Sequence, residues 1–183
     1  GVAMPADRSR EAVIIGNGNT ATSALAACTM MPDIGHVTVV ARHPGKNVGL
    51  EPLARKFLPA EHPIDIVGME QAAETLSRAD VAINTIPGHA ADGIADALDG
   101  EARNADGTLL DVVYDPRPTR LMSVWREHGG AAIGGEEMLL YQAMIQVWLM
   151  TGIWDADPPS APVDRSRGEA LESAMREALE EAL

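Results

Sequence analysis

Short apolar runs alternate with helical patterns along most of this chain. The runs are rich in β-branched residues and apolar almost throughout, which is typical of strands in a parallel sheet buried on both faces. They predict strands at residues 12–15, 36–41, 64–67, 80–86, 108–114 and 131–133. Helices are predicted at residues 20–31, 50–58, 70–78, 90–98, 119–128 and 136–151. The alternation predicts a doubly wound parallel α/β sheet of strand order 3-2-1-4-5-6, with helices on both faces.

The pattern divides the chain into four stretches. Residues 1–11 are a polar lead-in or the junction to a further domain, and residues 12–152 form the predicted domain. Prolines and charges mark residues 153–168 as a linker, and residues 169–183 predict a last helix. The apolar stripe of this helix consists of Leu171, Met175, Ala178, Leu179 and Ala182. We expect it to dock on the domain, and contact with another domain or subunit is the alternative.

Composition narrows the function classes. The chain has 183 residues, of which 46% are hydrophobic, enough for one domain with a core. A net charge of −13 argues against a nucleic-acid or anionic-membrane surface but allows a small anion in a locally positive pocket. Cys28 is the single cysteine, so no internal disulfide or thiolate zinc site is expected. Without a predicted membrane span or signal peptide, we expect a cytoplasmic protein, its oligomeric state open and a homodimer included.

A glycine turn joins the first strand to the first helix. Its spacing is G-x-G-x-x-A, with Gly16, Gly18 and Ala21 at the defined positions. Gly16 allows a sharp turn, Gly18 lets a pyrophosphate approach the backbone, and Ala21 lets the helix pack close to the strand. The free N–H groups of the helix then face the phosphates. The spacing favours a nucleotide-binding loop in a Rossmann sheet over a plain tight turn. The predicted loop is Gly16, Asn17, Gly18, Asn19, Thr20 and Ala21.

The end of the second strand indicates which nucleotide binds. NAD enzymes usually place a carboxylate there for the ribose 2′-OH, and this chain has none between Val37 and Glu51. A basic loop follows instead, and it consists of Ala41, Arg42, His43 and Lys46 with their neighbours. A guanidinium suits a 2′-phosphate, so NADP is favoured over NAD. A solvated basic loop is the alternative.

Further candidates lie after the later strands. Asn84, Thr85, Ile86 and Pro87 end the fourth strand, at the sheet edge where ligands bind in such folds, or they form an ordinary strand exit. Asp111, Tyr114 and Thr119 lie near the exit of the fifth strand. Taken by itself, Thr119 is favoured as a helix N-cap. Gly135 could approach a nicotinamide or only turn the chain. Gln142 sits among apolar residues, where satisfying backbone groups is favoured over facing a substrate hydroxyl.

Five motifs occur in a fixed order. They are Gly16-Asn-Gly-Asn-Thr20, Arg42 with Lys46, Asn84-Thr-x-Pro87, Asp111-x-x-Tyr114-x-Pro116-x-x-Thr119-x-Leu121, and Gly134-Gly-x-x-Met-Leu-x-x-Gln142-Ala143. Trp148, Thr151 and Gly152 follow as W-x-x-T-G. Together these motifs resemble the NADP-binding half of the shikimate dehydrogenase family, over residues 13–152.

The resemblance implies an oxidoreductase that interconverts 3-dehydroshikimate and shikimate with NADPH. It implies that residues 16–20 hold the pyrophosphate and residues 41–46 the 2′-phosphate. It also implies that Val112 and Gly135 lie by the nicotinamide, and that Gln142 and Tyr114 reach the substrate hydroxyls.

The chain also departs from the family pattern. Asn17 and Asn19 replace smaller residues, and His43 stands where threonine is common. The family's catalytic lysine and aspartate lie ahead of the glycine loop, and no lysine precedes Gly16 here. We therefore expect a cofactor-binding domain of a longer protein, inactive alone and with no catalytic residue of its own. The alternatives are a stand-alone nucleotide-binding or regulatory protein, a fold that has lost its cofactor, and a quinate dehydrogenase-like domain.

Overall fold

One parallel sheet organises the first part of the chain. The structure is a computed structural model that describes residues 9–57, 64–100, 107–151 and 165–182. The strands are β1 (Arg10–Ile15), β2 (Ile34–Ala41), β3 (Ile64–Gly68), β4 (Val81–Asn84), β5 (Thr108–Asp111) and β6 (Ala131–Gly134). Their order is β3-β2-β1-β4-β5-β6, and every neighbouring pair is parallel. The predicted fold class and strand order are confirmed.

Helices alternate with these strands as predicted. They are α1 (Asn19–Thr29), α2 (Leu50–Phe57), α3 (Ala72–Leu76), α4 (Asp92–Asp99), α5 (Arg120–Glu127), α6 (Gly135–Thr151) and α7 (Arg165–Ala182). A 3-10 turn, Met69–Gln71, replaces the predicted start of α3. None of the helices in the described part of the chain is long and apolar enough to cross a membrane.

Two strands end earlier than predicted. We expected β4 to reach residue 86 and β5 to reach residue 114, but they stop at Asn84 and Asp111. The Asn84 side-chain oxygen accepts the Ile86 N–H at 3.3 Å, and an Asp111 carboxylate oxygen accepts the Val113 N–H at 3.1 Å. These side-chain bonds draw the backbone out of the sheet ladder, as Asn and Asp do in turns.

The alternation of side chains along β1 supplies two cores, one on each face of the sheet. Ala12 and Ile14 pack in a cluster with Leu25 of α1 and Leu50 of α2. The intervening residues of β1 pack on the other face, in a cluster that includes the buried Trp125 of α5. Because both faces are covered by helices, the strands are apolar along most of their length, which explains why they lack a regular polar alternation.

The chain divides into two compact units, residues 1–134 and residues 135–183. The first holds the sheet with helices α1 to α5, and the second holds α6 and α7. The predicted linker, residues 153–168, lies outside the described residues as far as residue 164, and α7 covers the rest. This helix starts before the predicted residue 169 and includes Gly168, a residue type that weakens helix patterns but is tolerated here in a buried position.

In the second unit, α7 packs against α6 through the predicted stripe. Leu140, Met144 and Trp148 of α6 form a cluster with the half-buried Leu171, Met175 and Leu179 of α7. The other two residues of the predicted stripe, both alanines, are exposed.

Ion pairs reinforce the same contact. Arg176 donates hydrogen bonds to Glu137 of α6 and to Glu172 of its own helix. The Tyr141 hydroxyl donates to the Glu172 carboxylate at 3.2 Å. The Arg176 guanidinium, by its hydrogen bond first and its charge second, holds the pKa of Glu137 below its ordinary value.

Candidate cofactor site

The glycine loop has the geometry that its spacing predicts. Gly16 is buried and has φ +106°, a left-handed conformation that favours glycine. A Cβ at Gly16 would overlap the Thr85 hydroxyl, which donates to the Ile15 carbonyl at 2.7 Å. A Cβ at Gly18 would meet nothing within 4 Å, so open space lies beside this residue. Ala21, in the first turn of α1, is fully buried, and its small side chain allows the helix to pack close to the sheet.

Helix α1 presents an uncapped amino end to that open space. Gly18 is its N-cap, and no side chain accepts a hydrogen bond there. The first backbone bond of the helix runs from the Thr22 N–H to the Gly18 carbonyl, and residues 19–21 donate to no acceptor in the described part of the chain. The exposed Asn19 and Thr20 stand at this end, and the first turn has no acidic residue. Free N–H groups and the helix dipole favour an anion here.

The basic loop after β2 carries two cations without counterions. Ala41 ends β2 and is fully buried, while Arg42, His43 and Lys46 are exposed. The loop closes in a 3-10 turn, Pro44–Lys46, in which the Lys46 N–H donates to the His43 carbonyl at 3.0 Å.

Other cations of the described chain do have partners. Guanidinium groups pair with carboxylates at Arg10, Arg55, Arg78, Arg120 and Arg176, Arg126 donates to a carbonyl, and Lys56 and Arg117 also make interactions. Among the side chains that the structure describes, Arg42 and Lys46 are the two cations without such a contact. In a chain of net charge −13, two such cations in one short loop indicate a place for an anion.

Two asparagines join the glycine loop to the basic loop. The Asn17 side chain donates to the His43 carbonyl at 2.8 Å. The Asn47 side chain donates to the Asn17 carbonyl at 3.0 Å and to the Thr22 hydroxyl at 3.2 Å. The sequence analysis missed Asn47 and Thr22, because these contacts join residues 25 to 30 positions apart. The spacing of Asn47 to Gly49, which suits an Asx turn, was the one available signal.

A buried polar network fixes the adjoining strand ends. Asn84 is 1% exposed, Asp111 is 0% exposed and Thr119 is 6% exposed. The Asn84 amide donates to Asp111 at 2.9 Å, and the Thr119 hydroxyl donates to the other carboxylate oxygen at 2.6 Å. Thr119 also accepts the Met122 N–H at 3.2 Å, so the predicted N-cap is present. With both ends of its amide used internally, Asn84 holds the strand end in place and turns no free group to the surface.

The residues that follow these strand ends line one cleft of about 400 Å³. Its lining comprises Thr85, Ile86, Pro87, Gly88, Val112, Val113, Tyr114 and Asp115. Five of these were predicted site residues, so the structure brings together Thr85, Ile86, Pro87, Val112 and Tyr114. Tyr114 is 49% exposed at the cleft. Gly88, Val113 and Asp115 also line the cleft and were not predicted.

The remaining two predicted residues belong to the second unit. Gly135 is buried and begins α6. Gln142 is exposed and lines a groove of about 280 Å³ between α6 and α7. The interpretation of Gln142 as a buried amide that satisfies backbone groups is therefore wrong, because the helix turns this residue away from Leu140 and Met144.

Comparison with known proteins agrees with these features. No protein-family model matches the chain. The shikimate dehydrogenase (NADP(+)) of Methanosarcina mazei is 32% identical over 169 residues, which is 91% of this chain and 58% of that protein. The crystal structure of a shikimate 5-dehydrogenase from Mycobacterium fortuitum superposes with a TM-score of 0.67 at 33% identity, over 90% of this chain and 56% of that one. The chain belongs to the shikimate dehydrogenase family.

Membership of this family concerns the C-terminal part of its members. The chain spans a little over half the length of the relatives it matches, 58% and 56% for the two above. A quinate dehydrogenase from Corynebacterium glutamicum, solved in complex with NAD, has a TM-score of 0.66 at 19% identity, over 93% of this chain and 57% of that one. At that identity the likeness concerns the fold alone, so the fold does not select the substrate or the cofactor.

Proposed function

We propose that this chain is the NADP(H)-binding domain of a shikimate dehydrogenase-like oxidoreductase, which interconverts 3-dehydroshikimate and shikimate. The relative from Methanosarcina mazei carries NADP(+) in its name. The described residues fit such a dinucleotide, since open space lies beside Gly18 at an uncapped helix end. Side-chain bonds join this loop to the basic loop that carries Arg42 and Lys46.

The proposal gives each part of the site one role. The loop of residues 16–21 holds the pyrophosphate through its backbone N–H groups. Arg42 and Lys46 bind the 2′-phosphate. Ala41 and His43, on either side of Arg42, shape the loop. NADPH supplies the hydride when it is bound.

The cleft beyond β4 and β5 holds the nicotinamide end in this proposal. Residues 85–87 and Val112 form part of its described lining, and the buried Asn84 supports them from behind. We assign Gly135 to the same end of the cofactor. Tyr114 and Gln142 are proposed to reach the substrate hydroxyls. These roles position and orient the reactants, which is how a dinucleotide-binding domain contributes to hydride transfer.

The observation that carries the proposal is the pair Arg42 and Lys46, two cations that have no counterion among the described residues. A charge-assisted hydrogen bond contributes about 1.5–3 kcal/mol, so a 2′-phosphate should tighten binding by roughly ten- to a hundredfold. NADH lacks this phosphate and gains nothing from the loop.

The experiment is a titration of the 183-residue chain with NADPH and with NADH, followed by fluorescence or calorimetry. We expect Arg42→Ala and Lys46→Ala each to weaken NADPH by roughly tenfold and to leave NADH unchanged. Arg55→Ala is the matched control, because Arg55 is an exposed cation that pairs with Glu51. Equal affinity of the unaltered chain for NADPH and NADH would contradict the proposal.

We also expect the 183 residues alone to bind NADPH without reducing 3-dehydroshikimate. The family's lysine and aspartate precede the glycine loop, and no lysine precedes Gly16 in this chain. An absorbance assay of NADPH oxidation tests this expectation. Turnover well above the rate without protein would show that the chain supplies its own proton-transfer groups.

A further inference from the structure

The amide of Asn47 is divided between two tasks. Its oxygen accepts the Gly49 N–H at 3.1 Å, which is an ordinary Asx turn within the basic loop. Its nitrogen points the other way and donates to the Asn17 carbonyl and the Thr22 hydroxyl. The local turn does not need these two bonds, so the nitrogen serves a contact between loops.

A second bond runs between the same loops in the opposite direction. The Asn17 side chain, from the glycine loop, donates to the His43 carbonyl of the basic loop at 2.8 Å. Thr22 extends the connection, since its hydroxyl donates to the Gly18 carbonyl at 3.2 Å. The two loops are therefore joined reciprocally, by one amide from each side. Asn17 and Asn47 are both half-buried, and the two bonds of Asn47 are partly shielded from water, whereas the Asn17–His43 bond is exposed.

We propose that Asn17 and Asn47 are positioning residues that set the distance between the two anion-binding loops. This proposal rests on the proposed function, because it assumes that one ligand carries phosphates to both loops. A ligand with two linked phosphate sites gains the second contact at little entropic cost only when the two loops are held at the matching separation. Neither asparagine needs to touch the ligand through its side chain for this effect.

Three ligands differ in how far they depend on the spacing of the loops. NADPH carries both the pyrophosphate and the 2′-phosphate and depends on the separation of the loops. NADH engages the glycine loop, and adenosine 2′-monophosphate engages the basic loop, so neither depends on that separation. A loss of affinity for NADPH alone indicates that the spacing of the loops has changed. Damage to one loop would also lower the affinity for the smaller ligand that binds that loop.

The test compares Asn47→Ala and Asn17→Ala with the unaltered 183-residue chain, by titration with all three ligands. Asn47→Ala removes two of the three side-chain bonds described above, those to the Asn17 carbonyl and the Thr22 hydroxyl. Their loss lowers the population with correctly spaced loops, so we expect this variant to bind NADPH about tenfold more weakly. The affinity for adenosine 2′-monophosphate and for NADH should stay within about twofold for Asn47→Ala. The double variant should lose less than the product of the two single losses, because either change alone releases the loops.

Val48→Ala is the matched control, since Val48 is adjacent to Asn47, is 83% exposed and takes no part in the bridge. Thermal melting of each variant shows that it is folded, and Asn17→Ala serves if Asn47→Ala does not fold. The proposal is overturned if the affinity of the folded variants for NADPH stays within about twofold of that of the unaltered chain. It is also overturned if their affinity for adenosine 2′-monophosphate falls as much as their affinity for NADPH. Failure of the unaltered chain to prefer NADPH over NADH removes the proposed function as well, which distinguishes the two failures.

Discussion

The hydroxyl of Thr119 is the point at which helix α5 is attached to the buried carboxylate of Asp111. It donates to Asp111 at 2.6 Å and accepts the Met122 N–H at 3.2 Å, while Thr119 is 6% exposed. Thr119→Val removes the hydroxyl and keeps the branched shape. Thr119→Ser keeps the hydroxyl and removes a methyl group, so the pair separates hydrogen bonding from packing.

Both bonds of the hydroxyl contribute to the expected loss. Losing an N-cap costs about 1 kcal/mol. Losing a donor to a buried carboxylate costs about 1.5–3 kcal/mol, because Asp111 is 0% exposed and water cannot replace the bond. We expect Thr119→Val to lower the free energy of unfolding by about 3 kcal/mol, a fall of roughly 10 °C in melting temperature for a chain of this size. Thr119→Ser should lose about 0.8 kcal/mol, the contribution of one methyl group.

Circular dichroism during heating and in urea measures both variants against the unaltered chain. Equal stability of Thr119→Val and Thr119→Ser would refute the reasoning, since it would mean that the hydroxyl contributes no more than a methyl group. The same titrations with NADPH add a second readout. Asp111 also accepts the Val113 N–H at the cleft. Loss of the Thr119 hydroxyl should therefore loosen the cleft wall and weaken the binding of NADPH.

Three further predictions use other parts of the chain. Burial raises the pKa of Cys28 to about 11, so a disulfide reagent at pH about 8 should label Cys28 only after denaturation, and rapid labelling of the folded chain would contradict its burial. Because Arg176 lowers the pKa of Glu137, the stability that Glu137 contributes is present above the ordinary glutamate pKa and is lost as pH falls through the lowered value. Acid titration by circular dichroism should therefore show a loss of helix that Arg176→Ala makes less dependent on pH, and an unchanged pH profile would count against the pair. Gly16→Ala should destabilise the fold by about 2 kcal/mol because Gly16 has a positive φ. Gly18→Ala should melt at the normal temperature and bind NADPH more weakly, because a Cβ there would enter the open space of the proposed site. A Gly16→Ala variant of unchanged stability would contradict this assignment.

The sheet was predictable because its information is local. Each strand is a short apolar run, and each crossover fits between two runs, so the order follows from general rules of handedness and connection. The glycine loop was predictable for the same reason, since Gly16 and Gly18 act through their own backbone. Strand ends were less predictable, because Asn84 and Asp111 capture nearby backbone N–H groups only once the two strands lie side by side.

The bridge between the loops was not predictable from the sequence. Asn17 read as a departure from a glycine-loop pattern, and nothing in its neighbours indicated a partner 26 residues away. The prediction that Gln142 is a buried amide was wrong for a related reason. Apolar neighbours along the chain do not determine which face of the helix a residue occupies. A side chain whose role depends on another element carries no periodic signal of its own.

The choice of cofactor therefore depends on few residues. The same fold occurs in a quinate dehydrogenase solved with NAD, so the sheet by itself does not distinguish the two dinucleotides. What remains is the loop after β2, where Arg42 and Lys46 have no counterion within the part of the chain that the structure describes. Two exposed cations on flexible side chains attract any phosphate, and attraction alone is not selective. In the proposed site, selectivity requires that these cations lie at a fixed place relative to the glycine loop, and we assign that role to the bonds of Asn17 and Asn47.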